Sequence, residues 1–279
     1  MDYKKMMTVA GALICASAMA GVESSVVGYQ TQTVAGGNSF TWAVSTMKQI
    51  QNTLAGQTLG GFVIPTDESF MSGDSIVLSI YGTDGALEGE YSFVDTDNAA
   101  NFSLTSPGWY PLAKVSEWEV TDEDLADDVI VPFGKGVIIT SGEADTTLTV
   151  AGEVLNQPTT VDVAGYNSFT WTGNSTPVNL TLGDFSIPTD QGFMSGDSIV
   201  LSIYGTDGSL QGEYSFVDTD NAANFSLTSP GWYPLTKVSE WEVADSDLAN
   251  AVVIPAGKMV IITSGEADTT LTLPNPLAE

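Results

Sequence analysis

The chain has 279 residues, 35 of them acidic and 7 basic, with no histidine and one cysteine. Every basic residue is a lysine. That composition excludes histidine-based hydrolases and Cys/His zinc sites, and a formal charge of −28 makes nucleic acid a poor partner. The length, with 43% hydrophobic residues, is enough for two ordinary domains with a core in each.

In chain order, the first predicted element is an address. Lys4 and Lys5 precede the uncharged run Met6 to Ala20, which closes on Ala18-Met19-Ala20, the layout of a secretory signal peptide. Residues 1–20 are therefore expected to be removed and the protein to be secreted, to the extracellular space or the cell surface. The run is shorter than the roughly twenty residues of a membrane-spanning helix, and no membrane span is expected.

Two copies of one unit follow. Met71–Glu119 aligns without gaps on Met194–Glu242, differing only at Ala86/Ser209, Glu88/Gln211 and Ala113/Thr236. Upstream, Val34-Ala35-Gly36 and Asn38-Ser39-Phe40-Thr41-Trp42 recur as Val163-Ala164-Gly165 and Asn167-Ser168-Phe169-Thr170-Trp171. Downstream, Thr140 to Asp145 recurs as Thr263 to Asp268. The expected organisation is an N-terminal strand segment at 21–33, repeat one at 34–150, a connector strand at 151–162 and repeat two at 163–279.

Within a unit the hydrophobic period is two. Ile76, Leu78 and Ile80 share one face of a strand, Tyr91 and Phe93 a second, and Gly82-Thr83-Asp84-Gly85 supplies the turn between them. Phe102 with Leu104, Trp118 with Val120, Val137 to Thr140, and Leu148 with Val150 read as further short strands. The predicted fold is all-β, as two tandem antiparallel β-sandwich domains, immunoglobulin-like or jelly-roll-like. One segment differs: Ala43, Met47, Ile50 and Leu54 lie on one helical face that Gly56 can end, predicting a short helix in the first repeat.

The unit resembles a group of uncharacterised, exported, β-rich tandem-repeat proteins of Gram-negative bacteria. The likeness rests on Val26 to Tyr29, Asn52-Thr53-Leu54, Gly73 to Ile76, Gly108-Trp109, Pro132 to Gly136 and Gly152-Glu153-Val154. It implies export and β-architecture, and no activity.

Catalysis is not expected. Carboxylates are the only plentiful catalytic groups, and Asp95-Thr96-Asp97 with Asp218-Thr219-Asp220 lacks the Asp-Thr-Gly of an aspartic protease half. The same Asp95, Asp97, Asp218 and Asp220, with Asp122 and Asp124, are the candidate ligands for calcium, the one cofactor such oxygen-rich clusters suit; a solvated acidic face is the more ordinary reading of them. Trp109, Tyr110, Trp232 and Tyr233 sit in proline-flanked loops and are candidates for stacking on sugar rings, as in a carbohydrate-binding module or adhesin for surface glycans; large aromatics at strand ends more often plug the end of a core.

The leading expectation comes from layout. Val26, Val27, Tyr29, Thr31 and Thr33 form a candidate assembly strand, and nothing comparable follows repeat two. A strand donated to an open edge of the next molecule would give a head-to-tail homopolymer, a filament or surface layer; the alternative is that residues 22–34 cap copy one within a monomer.

Overall fold

A computed structural model describes residues 27–47, 56–65, 76–142, 144–154, 157–188, 199–265 and 267–274. The protein is all-β, with antiparallel sheets and four short α-helices among the described residues. No helix among them is long and apolar enough to cross a membrane.

Copy one contains β1 (Val27–Val34), β2 (Phe40–Val44), β3 (Gly56–Thr58), β4 (Phe62–Val63), β5 (Ile76–Tyr81), β6 (Leu87–Val94), β7 (Gly108–Pro111), β8 (Ile130–Pro132), β9 (Gly136–Ser141) and β10 (Thr146–Glu153). Copy two contains β11 (Thr159–Val163), β12 (Phe169–Gly173), β13 (Leu180–Thr181), β14 (Ile199–Tyr204), β15 (Leu210–Val217), β16 (Gly231–Pro234), β17 (Val253–Ile254), β18 (Met259–Ser264) and β19 (Thr269–Leu273). Each copy is built on a five-stranded sheet, β2-β9-β5-β6-β7 in one and β12-β18-β14-β15-β16 in the other. The alternation of Ile76, Leu78 and Ile80 places them on the buried face, with Val137 and Ile139 beside them. Val34, Phe62, Leu148 and Val150, from the sheet β1-β10-β4, complete the same cluster. Copy two has its own core of equivalent residues, and the two clusters share no member.

The other face of each five-stranded sheet carries a second, smaller core. Helices Thr96–Asn101 and Leu112–Ser116 lie there, and Val94, Ala99, Leu104, Tyr110, Val115 and Val120 pack together beneath them. Copy two repeats this with Val217, Ala222, Leu227, Tyr233, Val238 and Val243. These helices replace two predicted strands. Phe102 follows the first helix and Trp118 the second, and both helices end in turns whose next residues, Ser103 and Trp118, have positive φ. Helices of five or six residues are too short for a 3.6-residue period to stand out.

The predicted helix over Ala43 to Leu54 also needs correction. Ala43 belongs to β2 and points into the core beside Met47, so no helix starts there, and Gly56 opens β3. Ile50 and Leu54 lie outside the described residues. The connector is likewise not one strand. Residues 151–153 finish β10, whereas β11 begins at Thr159 and belongs to copy two.

The ends of each copy are tied by the repeated motifs. The backbone N–H of Gly36 donates to Asp145 Oδ1, and that of Gly165 to Asp268 Oδ1, both at 2.8 Å. A Cβ on Gly36 would stand 2.4 Å from the Ala144 carbonyl carbon, so the chain crossing admits no side chain there.

The copies meet through their outermost strands. Trp42 N–H on β2 donates to Thr206 O, in the hairpin turn of copy two, and Trp171 N–H on β12 donates to Thr83 O, in the equivalent turn of copy one, both at 2.8 Å. Val44 N–H adds a bond to Gly257 O at 3.1 Å. Such reciprocity defines a pseudo-two-fold contact. The rings follow it, stacking in the order Tyr81, Trp171, Trp42, Tyr204 with centroids 5.3, 5.3 and 5.2 Å apart, so the two copies' outermost strands meet at the centre of the stack. Gly85 and Gly208 (φ +75° and +74°) bend the turns that reach across, and a Cβ on either would lie about 3 Å from the facing indole.

Replacing Trp42 by alanine should lower the stability to denaturant by about 2–4 kcal/mol. It should also abolish the exciton couplet that two stacked indoles give in far-ultraviolet circular dichroism. A couplet that persists unchanged would contradict the stack.

Candidate functional site

The candidate site residues fall into three groups, which the fold treats differently. Trp109 and Trp232 are 1% exposed and Tyr110 and Tyr233 0% exposed, so none can stack on a sugar ring. Neighbours on a strand point to opposite faces, and here both faces are covered. The Trp109 indole enters the main core, packs edge-on against Phe93 and donates Nε1–H to Phe62 O at 3.2 Å. Tyr110 enters the small core under the helices and donates its hydroxyl to Ser106 O at 2.8 Å. Burial, with the nearby Asp122, Asp127 and Asp124, pushes the Tyr110 phenol up to about 12; Tyr233 is raised by burial first, then by Asp245 and Asp247. The glycan-stacking assignment is therefore corrected: these aromatics close the two cores of each copy.

Four of the six candidate calcium ligands accept hydrogen bonds from backbone amides. Asp95 and Asp218 are buried N-caps, accepting from Asn98 N–H and Asn221 N–H at 2.7 Å. Asp122 accepts from Thr105 N–H at 2.7 Å, and Asp124 from the Thr121 amide and hydroxyl, both at 2.9 Å. Those bonds, followed by Lys114, hold the Asp124 carboxyl below its ordinary range. Asp97 and Asp220 are exposed in the first turns of their helices. Among the described residues no group of three His, Cys, Asp or Glu is placed to hold a metal ion.

The assembly strand is paired inside its own molecule. β1 lies antiparallel to β10 over eight consecutive pairs, from Val27↔Glu153 to Val34↔Thr146. Its inward face is bonded to both copies: Gln30 Nε2–H donates to Ala256 O at 3.1 Å, Gln32 Nε2–H to Trp42 O at 3.3 Å, and the Thr46 hydroxyl to Gln30 Oε1. The margin expected to be open at the end of repeat two is occupied in the same way, because β11 pairs with β19 from Thr159↔Leu273 to Val163↔Thr269 and Ser186 bridges to Thr272 on the other side. Among the described residues, donation of a free N-terminal strand thus has neither a free strand nor a vacant groove. Val26 lies outside the described residues.

What β1 does offer is its outer flank. It is the first strand of the sheet β1-β10-β4, with β10 on one side and, among the described residues, no strand on the other. It carries no charged residue and shows no register shift. Tyr29, Thr31 and Thr33 face solvent, Tyr29 at 77% exposure. β11 is also a margin, beside β19 alone among the described residues, with exposed Asp162.

Two aromatic sites escaped the sequence reading. Trp118 and Trp241 are each 58% exposed, two residues beyond a helix end. The usable signal was a tryptophan flanked by glutamates in both copies, masked by an apparent strand alternation with Val120.

The duplication also supplies an internal control on charge. Asp127 Oδ1 accepts Trp109 N–H at 2.9 Å, and Asn250 Oδ1 does the same for Trp232 N–H at 2.9 Å. Burial, opposed by that bond and reinforced by Asp128, raises the Asp127 carboxyl above its ordinary range. A carboxyl raised in the folded state disfavours folding at neutral pH, and that penalty is relieved as pH falls through the folded value. Asp127→Asn should accordingly raise the thermal midpoint at pH 7, and the gain over the parent should shrink as pH approaches 4. A lower midpoint at pH 7 would contradict this. Comparison of the chain with known protein families, curated protein sequences and solved structures finds no match.

Proposed function

We propose that the protein is an extracellular structural protein whose copies join head to tail, by addition of one molecule's β1 margin to the β11 margin of the next, into a filament or surface layer. The observation that carries this reading is the outer flank of β1: a regular, eight-residue margin with no charge, proline or bulge, in a chain with 35 acidic residues. Proteins ordinarily blunt such margins with lysine, proline or a cover. A second copy is the partner that fits. β1 against its own kind would close a dimer, β11 against its own kind would bring two Asp162 carboxylates into one sheet, and β1 against β11 does neither and leaves a free margin at each end for growth. The signal-like start at residues 1–20 supports an extracellular setting. The β2 and β12 margins of the five-stranded sheets are covered by the other copy's turns and are not available.

The chain from residue 21 should sediment as polymers that lengthen with concentration. They should lengthen further as salt rises from about 0.05 to 0.5 M, because screening weakens repulsion between acidic copies. Thr31→Lys with Thr33→Lys should leave the thermal midpoint within a few degrees and keep the protein monomeric, since these side chains are exposed. A parent protein monodisperse at every concentration and salt, or a lysine variant that polymerises equally, would defeat the proposal.

A further inference from the structure

Helix Leu112–Ser116 ends in a turn usually closed by glycine. Trp118 N–H donates to Val115 O at 3.2 Å and Glu119 N–H to Lys114 O at 3.0 Å, which requires the residue between cap and exit to be left-handed. That residue is Trp118, with φ +60°. Copy two repeats the arrangement: Trp241 has φ +59°, with its N–H donating to Val238 O at 3.2 Å and Glu242 N–H to Lys237 O at 3.0 Å. A bulky side chain is disfavoured in that conformation. The turn therefore gains nothing from tryptophan there that glycine would not supply with less strain.

Each indole rests on a phenylalanine that ends the neighbouring helix. Trp118 lies on Phe102 with centroids 4.8 Å apart at 37°, and Trp241 on Phe225 at 4.9 Å and 39°. More than half of each tryptophan remains open to solvent. The sequence neighbours Glu117, Glu119, Glu240 and Glu242 are all exposed. Lys114, on the helix that leads into Trp118, faces Asp124 at 3.7 Å, and Lys237 holds the equivalent place before Trp241. The arrangement is an aromatic surface in a negative field, supplied twice.

We propose that Trp118 and Trp241 are paired binding sites for the lysine or arginine side chains of a basic polypeptide, whose ammonium or guanidinium groups lie over the indole faces with the flanking glutamates as counter-charges. Cation–π attraction and charge act together at such a site. An anionic ligand would meet a chain of charge −28, and a second copy offers too few cations, with seven lysines in all. Two sites on one molecule raise the affinity for a partner that spans both. Neither tryptophan belongs to β1 or β11, so these sites do not depend on filament growth.

The test is fluorescence anisotropy of a labelled hexa-arginine peptide against the full chain, with a neutral N-acetylglucosamine tetramer as competitor. The peptide should bind in a salt-dependent way, the sugar should not compete, and Trp118→Gly with Trp241→Gly should weaken binding by about ten-fold or more. Glycine suits the left-handed turn, so this variant should keep its thermal midpoint. In the unsubstituted protein the peptide should move the Trp118 and Trp241 indole N–H signals in NMR spectra, a measurement that needs no variant. Binding unchanged in the glycine variant would reduce the effect to bulk charge and overturn the proposal. Indole signals that stay still, or effective competition by the sugar, would overturn it as well.

Discussion

The architecture depends on the reciprocal closure of two strand margins. In isolation β2 and β12 would each present outward-facing amides at the end of a five-stranded sheet, a template for unwanted pairing. The chain solves this by folding one copy against the other, so that Trp42 N–H and Trp171 N–H find Thr206 O and Thr83 O in the opposite copy's hairpin turn. The four stacked rings fill the space between, and Gly85 and Gly208 let the turns approach the indoles. Each copy supplies both the exposed strand and the turn that covers one, so a duplication satisfies both contacts at once. Among the described residues β1 and β11 each have a strand on one side only, and the proposed growth surface rests on that.

The acidic composition acquires a local meaning in the same frame. Asp95, Asp122, Asp124, Asp127 and Asp145 each accept a backbone N–H that caps a helix, closes a turn or joins the ends of a copy. Acidic residues serve this role well because a carboxylate accepts from several donors and suits the positive end of a helix. The bond to the tryptophan amide does not require charge, since Asn250 Oδ1 makes it in copy two at the same 2.9 Å as Asp127 Oδ1 in copy one. The excess negative charge is thus partly structural, and as a whole it would keep copies apart sideways while uncharged margins meet.

Much of this was legible in the sequence, and the failures have physical causes. The repeat, the strands at Ile76–Tyr81, Leu87–Val94 and Gly136–Ser141 and the Gly82–Gly85 turn were readable because period two and turn chemistry are local properties. The helices at Thr96–Asn101 and Leu112–Ser116 were hidden by brevity. Trp109-Tyr110 invited an exposed reading because the flanking prolines read as a loop, whereas the pair lies in strand β7. The second core beneath the helices gives Tyr110 a dry face of its own. Strand partners were beyond reach altogether. That β1 seats on β10, and β11 on β19, depends on contacts more than a hundred residues apart, and the inter-copy stack arises only once both copies are folded.

Native-state hydrogen exchange at the amides of Trp42, Val44 and Trp171 probes the reciprocal closure most directly. In dilute solution, where no polymer forms, these amides should exchange as slowly as those of the central strands β5 and β14, through global opening alone. Exchange at the rate of a solvent-exposed sheet margin would mean that the copies do not cover one another, and would contradict the closure on which the rest of the architecture depends.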